Sequence, residues 1–113
     1  MKQLLMIAAG ALLLASCASQ GWPSKADPTA LKVAPSQFLA VDATTGATSP
    51  VTGPECRNPL ADPGDGMRLT LMRSAGGFGD YALERPRYGL RADQLLRVDC
   101  HSGRAVGATR APR

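Results

Sequence analysis

The sequence predicts a small, mainly β domain of four or five antiparallel strands, set behind an N-terminal signal helix and a flexible linker. Three observations lead there. Met67, Leu69 and Leu71 alternate with Arg68 and Thr70, the two-residue period of a strand with one buried face. His101-Ser102-Gly103 has the composition of a three-residue hairpin loop, with Gly103 in the left-handed position and apolar residues on either side. Leu4 to Ala15 is an unbroken apolar run, and the stretch after it is rich in Pro, Ser, Thr and Gly.

The apolar run follows Lys2 and ends in small residues, the anatomy of a secretory signal. It falls short of the roughly 20 apolar residues that a membrane-spanning helix needs. Residues 1–16 therefore read as signal peptide. Residues 17–53 read as linker, because Pro23, Pro28, Pro35 and Pro50 interrupt any regular pattern and large apolar groups are few. As a flexible coil such a linker would span roughly 35 Å. Within it, Trp22 suits the head-group layer of a membrane. Gln37-Phe38-Leu39-Ala40-Val41 is its one apolar knot, expected to dock on the chain's own domain.

The domain is expected over residues 54–113. Pro54, Pro59, Pro63, Gly64 and Gly66 make its first part loop or turn. A strand then starts at Met67, and the Gly76-Gly77 stretch is a hairpin or mobile connection. Asp80 to Glu84 returns with Tyr81 and Leu83 inward until Pro86 ends it, and Tyr88 to Leu90 suggests a further strand fragment. From Ala92 two readings stand. Ala92, Leu95 and Leu96 also fit one face of a helical turn, whereas Val98 and the short length favour strand. In the strand reading Leu96, Val98 and Cys100 share a face, with Cys100 opposite Arg104 and Val98 opposite Val106.

Composition bounds the function. Removing the first 16 of 113 residues leaves 97, enough for one small domain. Of the 13 Lys and Arg, all but Lys2 remain, against 9 Asp and Glu, a net of +3. No basic stripe of the kind nucleic-acid binders carry is present. Arg85, Arg87 and Arg91 form the densest basic group and are the candidate anion contacts. The glycine stretch lacks the Gly-Lys-Ser/Thr of a phosphate loop and the spacing of a calcium-binding nonapeptide, and Asp62-Pro63-Gly64-Asp65-Gly66 lacks the ligand order of an EF-hand. His101, beside Cys100, would point to the opposite face of a strand, which disfavours a Cys-His nucleophile. Asp80, Glu84, Asp93 and Asp99 have no spacing that makes an acid and base pair. No catalytic residue, metal ligand or cofactor is assigned.

Leu14-Ala15-Ser16-Cys17, closing an N-terminal signal, resembles the lipobox of bacterial lipoproteins. The resemblance covers under a fifth of the chain and leaves the mature domain unassigned. It implies a diacylglycerol thioether on Cys17, cleavage before it, and a permanent membrane anchor through several acyl chains such as palmitate. Ala18 and Ser19 follow where an Asp would signal retention at the inner membrane, so it also implies the outer membrane, facing the periplasm. A thioether sulfur cannot pair. Cys56 and Cys100, 44 residues apart, are then left to form one disulfide in an oxidising compartment. The expected function is that of a lipid-anchored, non-catalytic accessory that binds or braces an envelope component. The alternative is a module that grips an envelope polymer or anionic lipid through its arginines.

Overall fold

The fold is that of a computed structural model, which describes residues 25–111. Its strands are β1 (Leu39–Val41), β2 (Thr48–Pro50), β3 (Leu60–Ala61), β4 (Arg68–Ala75), β5 (Phe78–Leu83), β6 (Gln94–Asp99) and β7 (Ala105–Arg110). They form one sheet in the order β2-β1-β3-β4-β5-β6-β7, and every pairing is antiparallel. Ahead of them a single 3-10 turn, Pro28–Ala30, is capped by Asp27, whose carboxylate accepts the Thr29 N–H.

The mainly β, antiparallel class stands, and the strand count is corrected from four or five to seven. The added strands are β1, β2 and β3, of two or three residues each. Runs that short contain too few alternations to register as a period. β1 and β2 lie inside the stretch read as linker, so the boundary expected at Pro54 falls within the sheet. Phe38, Ala40 and Val51 are buried in one apolar cluster with Leu60, Met67, Leu69, Tyr81, Leu96 and Val98. The knot at 37–41 thus docks on its own domain. A Phe, Leu, Met or Val side chain buried in this way contributes about 1.5–3 kcal/mol against an exposed one.

Tyr88 to Leu90 is a turn and not a strand, because Tyr88 (φ 58°) and Gly89 (φ 79°) both lie in the left-handed region. Tyr88 nevertheless reaches the core, where its ring meets that of Phe38 edge-on at 5.6 Å. The ambiguity after Ala92 resolves to strand from Gln94. Leu96, Val98 and Cys100 are all buried, as the strand reading requires. The register is one residue out, however. Val98 pairs with Ala105, and Val106 is the extra residue of a bulge that puts Arg97 opposite Gly107.

The register slips because Asp99, and not Cys100, begins the turn. Its N–H donates to the Arg104 carbonyl (2.9 Å), its carbonyl accepts the Gly103 N–H (2.8 Å), and its carboxylate accepts the His101 N–H (2.8 Å). The same turn occurs twice more. Asp42 donates to the Ala47 carbonyl and accepts from Gly46 (both 2.8 Å), and Asp62 does likewise with Met67 and Gly66 (both 2.9 Å). Each of these aspartates also caps its turn through side-chain oxygen Oδ1. Asp at the first position and Gly at the fifth is therefore the hairpin signature of this chain.

The disulfide joins Cys56 to Cys100 with the α-carbons 4.7 Å apart, within the separation such a bond allows. Cys100 is the second residue of the turn, yet its N–H still donates to the Gly77 carbonyl (2.9 Å), which carries the β5–β6 ladder one step further. The segment around Cys56 is held again next door. The Tyr81 hydroxyl donates to the Arg57 carbonyl at 2.6 Å, and burial pushes the Tyr81 phenol up to about 12.

Two expectations follow for stability. Reduction of the disulfide should lower the urea unfolding free energy by about 4 kcal/mol, the loop-entropy value for a crosslink of this span; an unchanged midpoint would refute the staple. Alanine at Gly46 has open space around it and should cost about 1 kcal/mol, for the left-handed backbone alone. Alanine at Gly103 should cost about 3 kcal/mol, because its Cβ would also lie 2.8 Å from the Phe38 carbonyl oxygen. Equal losses at the two positions would show that the contact with Phe38 contributes nothing.

Candidate functional site

The three arginines singled out in the sequence are sent to two places. Arg85 donates to Asp65 Oδ2 at 2.7 Å, and Arg87 donates to the same oxygen. Arg91 pairs with Asp93 at 3.3 Å. Arg85 and Arg91 rim one groove, whose walls include Met72, Leu83, Ala92 and Leu95. Arg87 lies at a second groove with Lys32, Val33, Pro35, Asp62 and Tyr88. The guanidinium of Arg87 also stands 5.7 Å over the Tyr88 ring. Partly exposed ion pairs of this kind are worth about 0–1 kcal/mol. They blunt the anion-contact role without abolishing it.

The second groove is organised by the Asp62–Gly66 turn. Burial pushes the Asp62 carboxyl up, but the Tyr88 hydroxyl and the Gly64 and Asp65 N–H groups outweigh it and hold the group below the ordinary 3.8. Asp65 is lowered too, by the Met67 N–H first and then by Arg87. Tyr88 responds in the opposite sense. Burial, and then its hydrogen bond to Asp62, push the phenol up, so it stays a donor to that carboxylate.

A charged row that sequence spacing did not disclose crosses the face of the sheet opposite the apolar core. Arg73 of β4, Asp80 of β5 and Arg97 of β6 are paired in register. Asp80 is fully buried and takes Arg73 Nε at 2.7 Å and Arg97 Nε at 2.7 Å. Arg73 also donates to the Arg110 carbonyl at 3.1 Å, which ties β4 to the end of β7. Gly107 continues the row, and the backbone of Asp27 lies where its Cβ would be, 2.8 Å from the carbonyl carbon. The alternation of Leu96, Arg97 and Val98 was a signal for an outward-facing arginine. Nothing in spacing indicated that an aspartate on another strand would bury it.

The remaining sequence candidates separate. The Cys100 sulfur is bonded to Cys56, so His101 has no thiol beside it, and His101 itself is exposed on the turn. Asp99 serves that turn, Asp93 meets Arg91, and Glu84 lies 3.6 Å from Arg85. Among the described residues no three His, Cys, Asp or Glu side chains converge as a metal set. Cys17 lies outside the described residues. Comparison with protein-family models, with curated proteins and with solved structures finds no match to this chain.

The charged row sets the acid stability. For Asp80, burial raises the carboxyl, and the hydrogen bonds from Arg97 and Arg73 more than reverse this, leaving it below the ordinary 3.8. A group lowered on folding contributes fully above its unfolded value and loses that contribution as pH falls through its folded value. Stability should therefore be level above about pH 5 and fall below about pH 4, with Asp62 and Asp65 acting in the same direction. Asp80→Asn should cost about 3–5 kcal/mol at neutral pH, as loss of one partner from a buried ion pair does. It should also flatten the acid limb of the urea midpoint against pH; an acid limb of wild-type steepness would place the titration elsewhere.

Proposed function

We propose that the protein is a lipid-anchored accessory of the bacterial cell envelope, held at the outer membrane through Cys17 with its domain facing the periplasm, which braces or binds another envelope component without chemistry of its own. The observation that supports this most is the use of the cysteines. The disulfide occupies Cys56 and Cys100, and Cys17 is left as the third, at the end of Leu14-Ala15-Ser16. Such a bond persists in an oxidising compartment, which is where a cleaved signal would deliver the chain. The non-catalytic part of the reading is supported by the fate of the reactive groups. The Cys100 sulfur is committed to the staple, and the buried carboxylates Asp62 and Asp80 are committed to Tyr88 and to arginines.

Growth with an alkyne-tagged palmitate tests the anchor. The wild-type chain should carry the tag and sediment with membranes, whereas Cys17→Ser should carry none. A tagged Cys17→Ser chain, or an untagged wild type, would remove the anchor. Crosslinking in intact cells tests the accessory role. A reproducible crosslinked envelope component is expected, and recovery of the chain uncrosslinked at every spacer length would count against a partner.

A further inference from the structure

The strap before β1 changes where the domain stands relative to its anchor. As a free linker, residues 17–53 would let the domain float clear of the membrane. The sheet instead takes hold at Asp27, which exchanges both backbone hydrogen bonds with Ala108, at 2.8 and 3.0 Å. A stretched chain covers at most about 3.6 Å per residue, so Lys25 lies within about 29 Å of Cys17. With Cys17 anchored as proposed, the start of the strap would stay within that reach of the bilayer.

On that strap sits Val33, a β-branched residue with φ 56° and 98% of its surface exposed. A left-handed backbone at such a residue costs about 1–3 kcal/mol. The position is held from both sides. The Lys32 N–H donates to the Tyr88 carbonyl at 2.7 Å, and the Phe38 N–H donates to the Gly103 carbonyl at 2.7 Å. Tyr88, the other non-glycine with positive φ among the described residues, borders the same groove. Strain is therefore concentrated where an apolar side chain is presented to solvent and gains no contact within the domain. Beside it, among the described residues, Lys32 has no carboxylate within ion-pair distance.

We propose that Val33 and Lys32 form the membrane-seating edge of the domain: the isopropyl group enters the head-group layer of the bilayer that holds Cys17, and the Lys32 ammonium meets lipid phosphates. This rests on the anchor proposed above and names the surface against which the domain is braced. The chemistry matches an interface. A short apolar side chain buries at the boundary of head groups and acyl chains, and a lysine lays its stem along the apolar zone with its charge in the phosphate layer. Pro35 next in the groove keeps the strap from collapsing into helix.

The test uses the full mature chain, acylated in cells and reconstituted into vesicles of phosphatidylethanolamine and phosphatidylglycerol that contain lipids brominated near the head group. In a Trp22→Phe background, tryptophan is placed by Val33→Trp or, as a control on the exposed β1–β2 turn, by Thr44→Trp. Bromine should quench the probe at position 33 several-fold more than the probe at position 44. Adding Lys32→Glu should lower the ratio of seated to unseated domain by at least about five-fold, the value of one basic side chain near an anionic leaflet. Equal quenching at the two positions, or none at 33, in a chain whose Cys17 is shown acylated by mass spectrometry would overturn the seating and leave the anchor standing. A chain found unacylated would overturn the anchor and the seating with it.

Discussion

The bond between Cys56 and Cys100 is the constraint on which the rest of this structure depends. The sheet runs in a line from β2 to β7, and its first three strands are too short to hold by their own ladders. The staple ties the segment between β2 and β3 to the turn between β6 and β7. Around it the two ends of the sheet are drawn together by the Phe38 N–H on the Gly103 carbonyl and by the Gln37 amide on the Ser102 carbonyl. Small domains have little core to spare for such closure. Here a covalent link supplies it, and the long hairpins carry the short ones.

Closure produces two unlike faces. One is apolar and continuous, with Phe38, Leu69, Tyr81, Leu96 and Val98 fully buried. The other carries Arg73, Asp80 and Arg97 in one row across three strands. A buried charge is costly unless it is paired and hydrogen-bonded, and Asp80 meets that condition through two guanidinium groups. A row of this kind adds little net stability over apolar packing. It does penalise registers that would part Asp80 from Arg73 and Arg97. In a chain whose β6–β7 pairing already contains a bulge, that penalty is a means of fixing which residues face each other.

The strap from Asp27 to Gln37 joins the fold to the proposed anchor. It pairs with β7 at one end and meets the β6–β7 turn at the other. Under the proposed anchor, a domain attached this way would stay close to the membrane surface, whatever it contacts. Such an anchored domain would suit the proposed bracing role better than long-reach capture.

What the sequence determined by itself was local. The alternation from Met67 to Leu71, the buried face shared by Leu96, Val98 and Cys100, the left-handed Gly103 and the pairing of the two downstream cysteines all depend on chemistry within a few residues, or on the number of cysteines left to pair. The recurrent Asp and Gly turn was equally present in the letters, at Asp42, Asp62 and Asp99, although only the hydrogen bonds reveal that the three are one motif. The tertiary structure alone decided the rest. Thr48–Pro50 and Leu60–Ala61 are strands because neighbours exist to pair with them, and nothing in two or three residues encodes a neighbour. Asp80 and Arg97 lie 17 residues apart, and Asp65 and Arg87 22 apart. Such partners are chosen by the register of strands and the path of loops, and a carboxylate read along the chain has no memory of which guanidinium folding will bring to it.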